Sequence, residues 1–316
     1  MLDPTELYAV ADDLSDETLA SLQGSVMVQA MTGFVDAGSA TRLARETLVD
    51  GHDASPIVTF DIDALLDYRS RRPTMMFVED HWESYEEPTL AIQLAHDRQR
   101  TPFLVLSGPE PDLQWERFTA AVIGLLDRFG VKTTVGFNSI PMAVPHTRPA
   151  GVTAHASRRE LIAGYEPWLQ RVQVPASAGH LLEYRLGQQG HDAIGFAAHV
   201  PHYLAQTDYP SAAELLLNSL SRTTGLLLAT DDLRDSAVAV RLEVDRQIAE
   251  NSDAVELVES LEAQYDAFMR GRTGDSLMAQ AGPLPTAEEL GAELERFLAN
   301  QGPNQPPPGP TENPSV

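Results

Sequence analysis

Pro145-His-Thr-Arg-Pro149 is the stretch whose residue types most suggest chemistry. Two prolines hold His146 and Arg148 in an extended segment, which sends both side chains to one face. A fixed imidazole–guanidinium pair could bind a carboxylate or phosphate, or it could lock a loop onto backbone carbonyls. Gly108-Pro-Glu-Pro-Asp112 offers Glu110 and Asp112 as a carboxylate pair, and acid–base work would require the two to have different environments. Asp112 is equally suited to cap a following helix, with the Pro-Glu-Pro framing as an exposed turn. Gly33-Phe-Val-Asp-Ala-Gly38-Ser39 stands where phosphate loops occur, yet Ser39 and Ala40 follow the last glycine instead of lysine and Ser/Thr. A tight turn with Asp36 as helix cap accounts for it without a nucleotide.

The remaining candidates carry less. His199-Val-Pro-His202-Tyr203 spaces two histidines as a helical metal pair would, but Pro201 prevents the helix. With no cysteine in the chain, thiolate nucleophiles, disulfides and cysteine–zinc sites are excluded. Lys132 is the single lysine. No catalytic set, cofactor or metal site is expected. Arg69, Arg71 and Arg72 form the one basic cluster, suited to pairing with carboxylates within the fold or across a subunit interface. Forty-six acidic against 22 basic residues give −24, a balance that disfavours nucleic acid. No apolar run is long enough to span a bilayer. Met1-Leu-Asp-Pro-Thr-Glu has no signal-peptide character, so the cytoplasm is the simplest location.

Stepping from these residues to the elements that must hold them, strand-like and helix-like segments alternate over the first two-thirds. Val26–Met31, Ile57–Asp61, Thr74–Val78, Phe103–Ser107, Val131–Phe137 and Ala193–Val200 read as strands. Ala40, Leu43, Ala44, Thr47 and Leu48 mark one amphipathic helix, and Phe118, Val122, Leu125, Leu126 and Phe129 another capped by Asp112. Ser211–Leu220 reads as a further helix. The rhythm predicts an α/β fold with a parallel sheet covered on both faces. Residues 1–230 form that domain. Residues 231–299 read as an acidic helical extension, with helices striped by Ala237, Val240, Val244 and Ile248 and by Val255, Val258, Leu261, Tyr265 and Phe268, the second capped by Asp253 with Glu256. Ala287–Leu298 reads as a last helix, and 300–316 as a flexible proline-rich tail. The loops Gly33–Gly38, Glu79–Trp82, Gly108–Asp112 and Asn138–Arg148 are expected at the carboxyl edge of the sheet, the place for a crevice.

Five segments in this order resemble the actinobacterial branch of the proteasome assembly chaperone family: Gly33–Gly38, Asp67-Tyr-Arg-Ser-Arg-Arg-Pro73, Leu106–Asp112, Pro141–Pro149 and His199–Leu204. The resemblance covers Val26 to Phe268. It implies a three-layer αβα fold with a mostly parallel or mixed sheet, similar to that of purine nucleoside phosphorylases without their activity. It also implies homo-oligomers, with a trimer as the working expectation, and proteasome subunits as partners of archaeal and eukaryotic relatives. It assigns no catalytic residues. Relatives that dock on the proteasome ring use a C-terminal hydrophobic–tyrosine–any-residue motif, and Ser315 stands where that tyrosine would be.

Two readings follow. One is a non-catalytic, oligomeric chaperone or adaptor that binds proteins. The alternative is a small-ligand binder or hydrolase/phosphorylase-like enzyme using Asp36, Glu110, Asp112, His146 and Arg148.

Overall fold

Apolar residues at period two and period 3.6 set the elements, and a computed structural model describes residues 2–168 and 171–272. The strands are β1 (Tyr8–Val10), β2 (Val26–Thr32), β3 (Ser55–Phe60), β4 (Met75–Val78), β5 (His81–Tyr85), β6 (Ala91–His96), β7 (Pro102–Pro109), β8 (Thr133–Met142), β9 (Val152–Ala156) and β10 (Asp192–Pro201). The helices are α1 (Asp16–Ser21), α2 (Ala40–Asp50), α3 (Ile62–Leu65), α4 (Trp115–Phe129), α5 (Ala178–Gln188), α6 (Pro210–Thr224), α7 (Asp231–Ala249) and α8 (Ser252–Arg272). The chain divides into a unit ending at Tyr265 and a second from Asp266, of which the last turns of α8 are described. The helix expected over Ala287–Leu298, the segment 300–316 and Ser315 lie outside the described residues.

Eight strands form one mixed sheet in the order β1-β3-β6-β7-β2-β8-β10-β9. The four central strands β7, β2, β8 and β10 are mutually parallel, while β1, β3 and β6 on one flank and β9 on the other pair antiparallel. Alternation along β2 sends Val28 and Ala30 into a core shared with α2 and α6, and Met27 and Met31 into a core shared with α4 and α5. Both faces of the central strands are therefore buried. On α4, Phe118, Val122, Leu125, Leu126 and Phe129 are all removed from solvent, each contributing about 1.5–3 kcal/mol. Leu233 and Val244 of α7 join the α2/α6 core.

Several expectations are corrected by tertiary context. Met75–Val78 does not enter the main sheet. It pairs with β5 in a separate two-stranded sheet, so Glu79–Trp82 spans that hairpin's turn rather than the carboxyl edge. Asp112 does not cap α4, whose N-cap position is Gln114 in the left-handed region with no side-chain cap bond. Its carboxylate instead accepts the Asp67 N–H at 2.9 Å and pairs with Arg71. Asn251, not Asp253, caps α8: its Oδ1 accepts the N–H groups of Asp253 and Ala254 at 3.0 and 3.3 Å. Residues Asn138–Met142 continue β8 rather than forming a loop. Strands β1, β5, β6 and β9 and helices α1, α3 and α5 are additions to the sequence reading.

Asp36 ties three of these elements together. Its carboxylate accepts the N–H groups of Thr41 and Arg42 at 2.7 and 3.1 Å in the first turn of α2, and the Ser139 hydroxyl of β8 at 2.8 Å. Charged acceptors at helix N-termini are worth more than neutral ones. Replacing Asp36 by Ala is expected to cost about 2–3 kcal/mol in urea unfolding, and Ser139→Ala about 1 kcal/mol.

Candidate functional site

The in-register pairing of the central strands builds the floor of a cavity. Gln29 of β2 lies across from Gly136 of β8, Gly136 from Gly195 of β10, and Gly195 from His155 of β9. Residues paired directly across a sheet share a face, and here it is the face that carries Met27 and Met31. Helix α5 covers this row with Gly179, His180 and Glu183, and the βα turn after β2 walls one side with Phe34, Val35 and Asp36. About 520 Å³ of open space results, solvent at its mouth included.

At two glycines neighbouring polar side chains come close to the backbone. A Cβ on Gly195 would lie 1.9 Å from the His155 ring, and one on Gly179 would lie 2.8 Å from Gln29 Oε1. Glycine inside a helix or strand costs up to about 1 kcal/mol relative to alanine. At both places that cost makes room for a polar side chain.

The polar residues have distinct electrostatic surroundings. Glu110 is 7% exposed, and its carboxylate accepts the Ala178 N–H at the start of α5. Burial pushes its carboxyl above the usual range, against the lowering effects of that N–H and of Arg71. His155 Nδ1 lies 2.7 Å from Glu183 Oε1. Burial pulls His155 down, but hydrogen bonding to Glu183 and its charge outweigh burial and hold the imidazole above its ordinary value. Burial and then the charge of His155 push the neighbouring His180 down. Ring centroids of these two histidines are 6.2 Å apart.

The five residues singled out from sequence separate into three places. Asp36 and Glu110 line the cavity. Asp112 joins Arg71, which also donates to the Glu110 carbonyl oxygen at 2.7 Å and so fixes the Gly108–Asp112 turn to the Asp67–Arg71 loop. His146 and Arg148 face the C-terminal helices. His146, 3% exposed, sits between the Tyr203 hydroxyl at 2.6 Å and Asp245 of α7 at 2.9 Å. Burial pushes the Tyr203 phenol up to about 12. Arg148 pairs with Glu262 of α8 at 3.1 Å, Thr147 donates to the same carboxylate, and Tyr265 donates to the Pro149 carbonyl at 3.2 Å. The Pro145–Pro149 segment thus clasps both α7 and α8. His199 is buried in β10, its Nε2 2.8 Å from Thr153 Oγ1 and its ring edge-on to Trp168. Among the described residues no cluster of three or more potential metal ligands occurs.

Gln29, His155, His180 and Glu183 were not picked out by the sequence reading. Gln29 carried a signal, since it is the single polar residue between Val26 and Met31. The other three become neighbours through β9 and α5, whose positions depend on long-range packing.

The His155–Glu183 pair gives a pH-dependent stability term. A folded-state pKa raised above the unfolded value of about 6.5 contributes fully below that value and fades as pH rises through the folded value. Glu183→Gln should therefore lower the thermal midpoint more in mildly acidic than in alkaline buffer, as read by differential scanning fluorimetry across pH.

A further exposed feature is the β4–β5 hairpin. Met75, Met76, Phe77, Trp82 and Tyr85 are all exposed, Phe77 at 54% and Trp82 at 63%, with the Phe77 and Trp82 rings in edge contact at 5.1 Å.

Comparison with known proteins places this architecture. No curated protein matches the chain. A Mycobacterium tuberculosis protein of unknown function is 45% identical, with a TM-score of 0.79 over 86% of this chain and 92% of its own. A Corynebacterium glutamicum protein of unknown function is 36% identical, with a TM-score of 0.78 over 84% and 98%. A Mycobacterium tuberculosis proteasome-assembly chaperone homologue is 27% identical, with a TM-score of 0.68 over 74% and 99%. The PAC2 family model matches residues 30–248, from the end of β2 through most of α7, which takes in the βα turn of Asp36, Glu110, His155 and α5, and the chain belongs to the PAC2 family.

Proposed function

We propose that the protein is a non-catalytic interaction protein of the PAC2 family, an oligomeric chaperone or adaptor that presents the β4–β5 hairpin to a second copy of itself. The observation that carries this is the hairpin's exposure. An isolated two-stranded ribbon is marginal in water, and a face carrying Met75, Phe77, Trp82 and Tyr85, with Met76 exposed on the other side, is unusual on a monomer surface. Charge favours self-association: Glu79, Asp80, Glu83, Glu86 and Glu87 lie on or beside the hairpin, and the exposed Arg69 and Arg72 precede it. Neither arginine makes an ion pair within the described residues. Two copies related by a two-fold axis can set each arginine pair against the other's carboxylates, since an isologous contact is self-complementary.

In this reading the chain resides in the cytoplasm and its sheet and helices form three αβα layers of the purine nucleoside phosphorylase type. Residues 1–230 are the oligomerising body, and the acidic extension 231–299, followed by the tail 300–316, faces a client. Proteasome subunits are the proposed client class, by analogy with the 27%-identical assembly-chaperone homologue.

Analytical ultracentrifugation tests the oligomer. The wild type should sediment as more than a monomer, and the Phe77→Ser/Trp82→Ser double variant should shift to monomer with an unchanged thermal midpoint; a monomeric wild type would overturn the proposal. Co-expression with proteasome subunits of the source organism tests the client. Co-elution with assembly intermediates is expected, and unaltered assembly without co-elution removes the proteasome from the reading.

A further inference from the structure

Gln29 is 9% exposed at the centre of a strand packed between two cores, and its carboxamide makes no hydrogen bond to the protein. Alternation along β2 places it between Met27 and Met31, at a position that the core would otherwise fill with an apolar side chain. Its amide reaches the cavity rather than a protein partner, at the cost of the core contacts an apolar side chain would make. The fold adds to this cost by keeping Gly179 in the first turn of α5, where a Cβ would lie 2.8 Å from Gln29 Oε1 and push the amide aside. Both losses are accounted for if the amide serves a ligand.

Other groups on the cavity wall are similarly uncommitted. Glu110 Oε1 accepts from Ala178, while its second oxygen has no protein donor. Asn138 Oδ1 accepts the Ser139 N–H, which leaves its amino group open. The His180 ring has aromatic neighbours, Phe34 at 5.6 Å and His155, and no hydrogen bond. Asp36 and Glu183, by contrast, are engaged by the N–H groups of α2 and by His155.

These surroundings define the ligand's chemistry. Three carboxylates, Asp36, Glu110 and Glu183, line the cavity and disfavour anions such as phosphate. The uncommitted groups are chiefly neutral amides and an imidazole, which favour a neutral ligand. One molecule that presents N–H and C=O side by side, as a cis-amide in a ring does, satisfies the Gln29 carbonyl and amino group together. Phe34, in the βα turn after β2, supplies a flat apolar wall for such a ring.

We propose that the cavity over the Gln29–Gly136–Gly195–His155 row binds a small neutral cyclic amide, a lactam or imide, through the carboxamide of Gln29. The site is independent of the hairpin and of self-association.

Ligand-observed NMR on the full chain, with glutarimide and 2-pyrrolidinone as probes and their N-methyl derivatives as controls, tests the assignment. The wild type should bind the N–H probes saturably at millimolar concentration and the N-methyl forms roughly tenfold more weakly, because methylation removes one hydrogen bond and leaves its partner unpaired. Gln29→Leu should lose about tenfold or more in affinity while its thermal midpoint holds or rises, since an unsatisfied amide is replaced by an apolar side chain. Gly179→Ala provides a second, helix-favouring variant that should weaken binding by displacing Gln29. Absence of saturable binding to the wild type, equal binding of N-methyl and N–H probes, or full affinity in both variants would overturn the proposal.

Discussion

The constraint on which this structure depends is the burial of the parallel strands β7, β2, β8 and β10 on both faces. Most side chains on them enter one of two cores. Polar residues at such positions are costly unless partnered. Gln29 is the exception in β2, and the shape around it follows from accommodating it. Gly136 lies beside it and Gly179 above it, and Gly195 gives way to the His155 ring. A core built only for stability would fill these places with methyl groups. The row from Gln29 to His155 is therefore a polar channel cut across an otherwise apolar sheet face.

Around that channel, electrostatics fix the loops. Asp36 binds the start of α2 to β8, and Glu110 binds the start of α5. Arg71 links the Glu110 carbonyl to the Asp112 carboxylate. Three carboxylates in a strongly acidic chain thus have structural partners, two of them backbone N–H groups at helix starts, where the local dipole favours negative charge. The same logic governs the Pro145–Pro149 segment. The segment is not extended as its prolines suggested but turns at His146-Thr147, where the Arg148 N–H donates to the Pro145 carbonyl at 3.5 Å, and its His146, Thr147 and Arg148 side chains reach carboxylates of α7 and α8. What looked like an anion site is a clasp for acidic helices of the same chain.

The two surface features differ in kind. The cavity is concave, polar and walled by rigid elements, which suits a small molecule. The β4–β5 hairpin is convex, apolar and outside the main sheet, which suits a protein surface. Family membership is compatible with both, because a shared fold positions loops without dictating what they recognise.

Sequence alone determined what depends on neighbours within a turn or a strand. Short apolar runs located β2, β7, β8 and β10, and period-3.6 patterns located α2, α4, α6, α7 and α8, because burial is written into local composition and spacing. Asp36 was legible as the cap of α2 for the same reason. Tertiary structure decided which polar residues meet. Asp112 lies three residues before α4 yet binds a loop some forty residues away in sequence, because Arg71 and the Asp67 N–H offer stronger partners than a helix start. Helix α5 escaped notice because Gly179 and Gly187 weaken its propensity and its stripe of Ala178, Leu182 and Leu186 is narrow. With α5 and β9 went His155, His180 and Glu183, which share a site with Gln29 only after four strands align in register. Pairing across a sheet is a long-range event, and no local pattern in the chain encodes it.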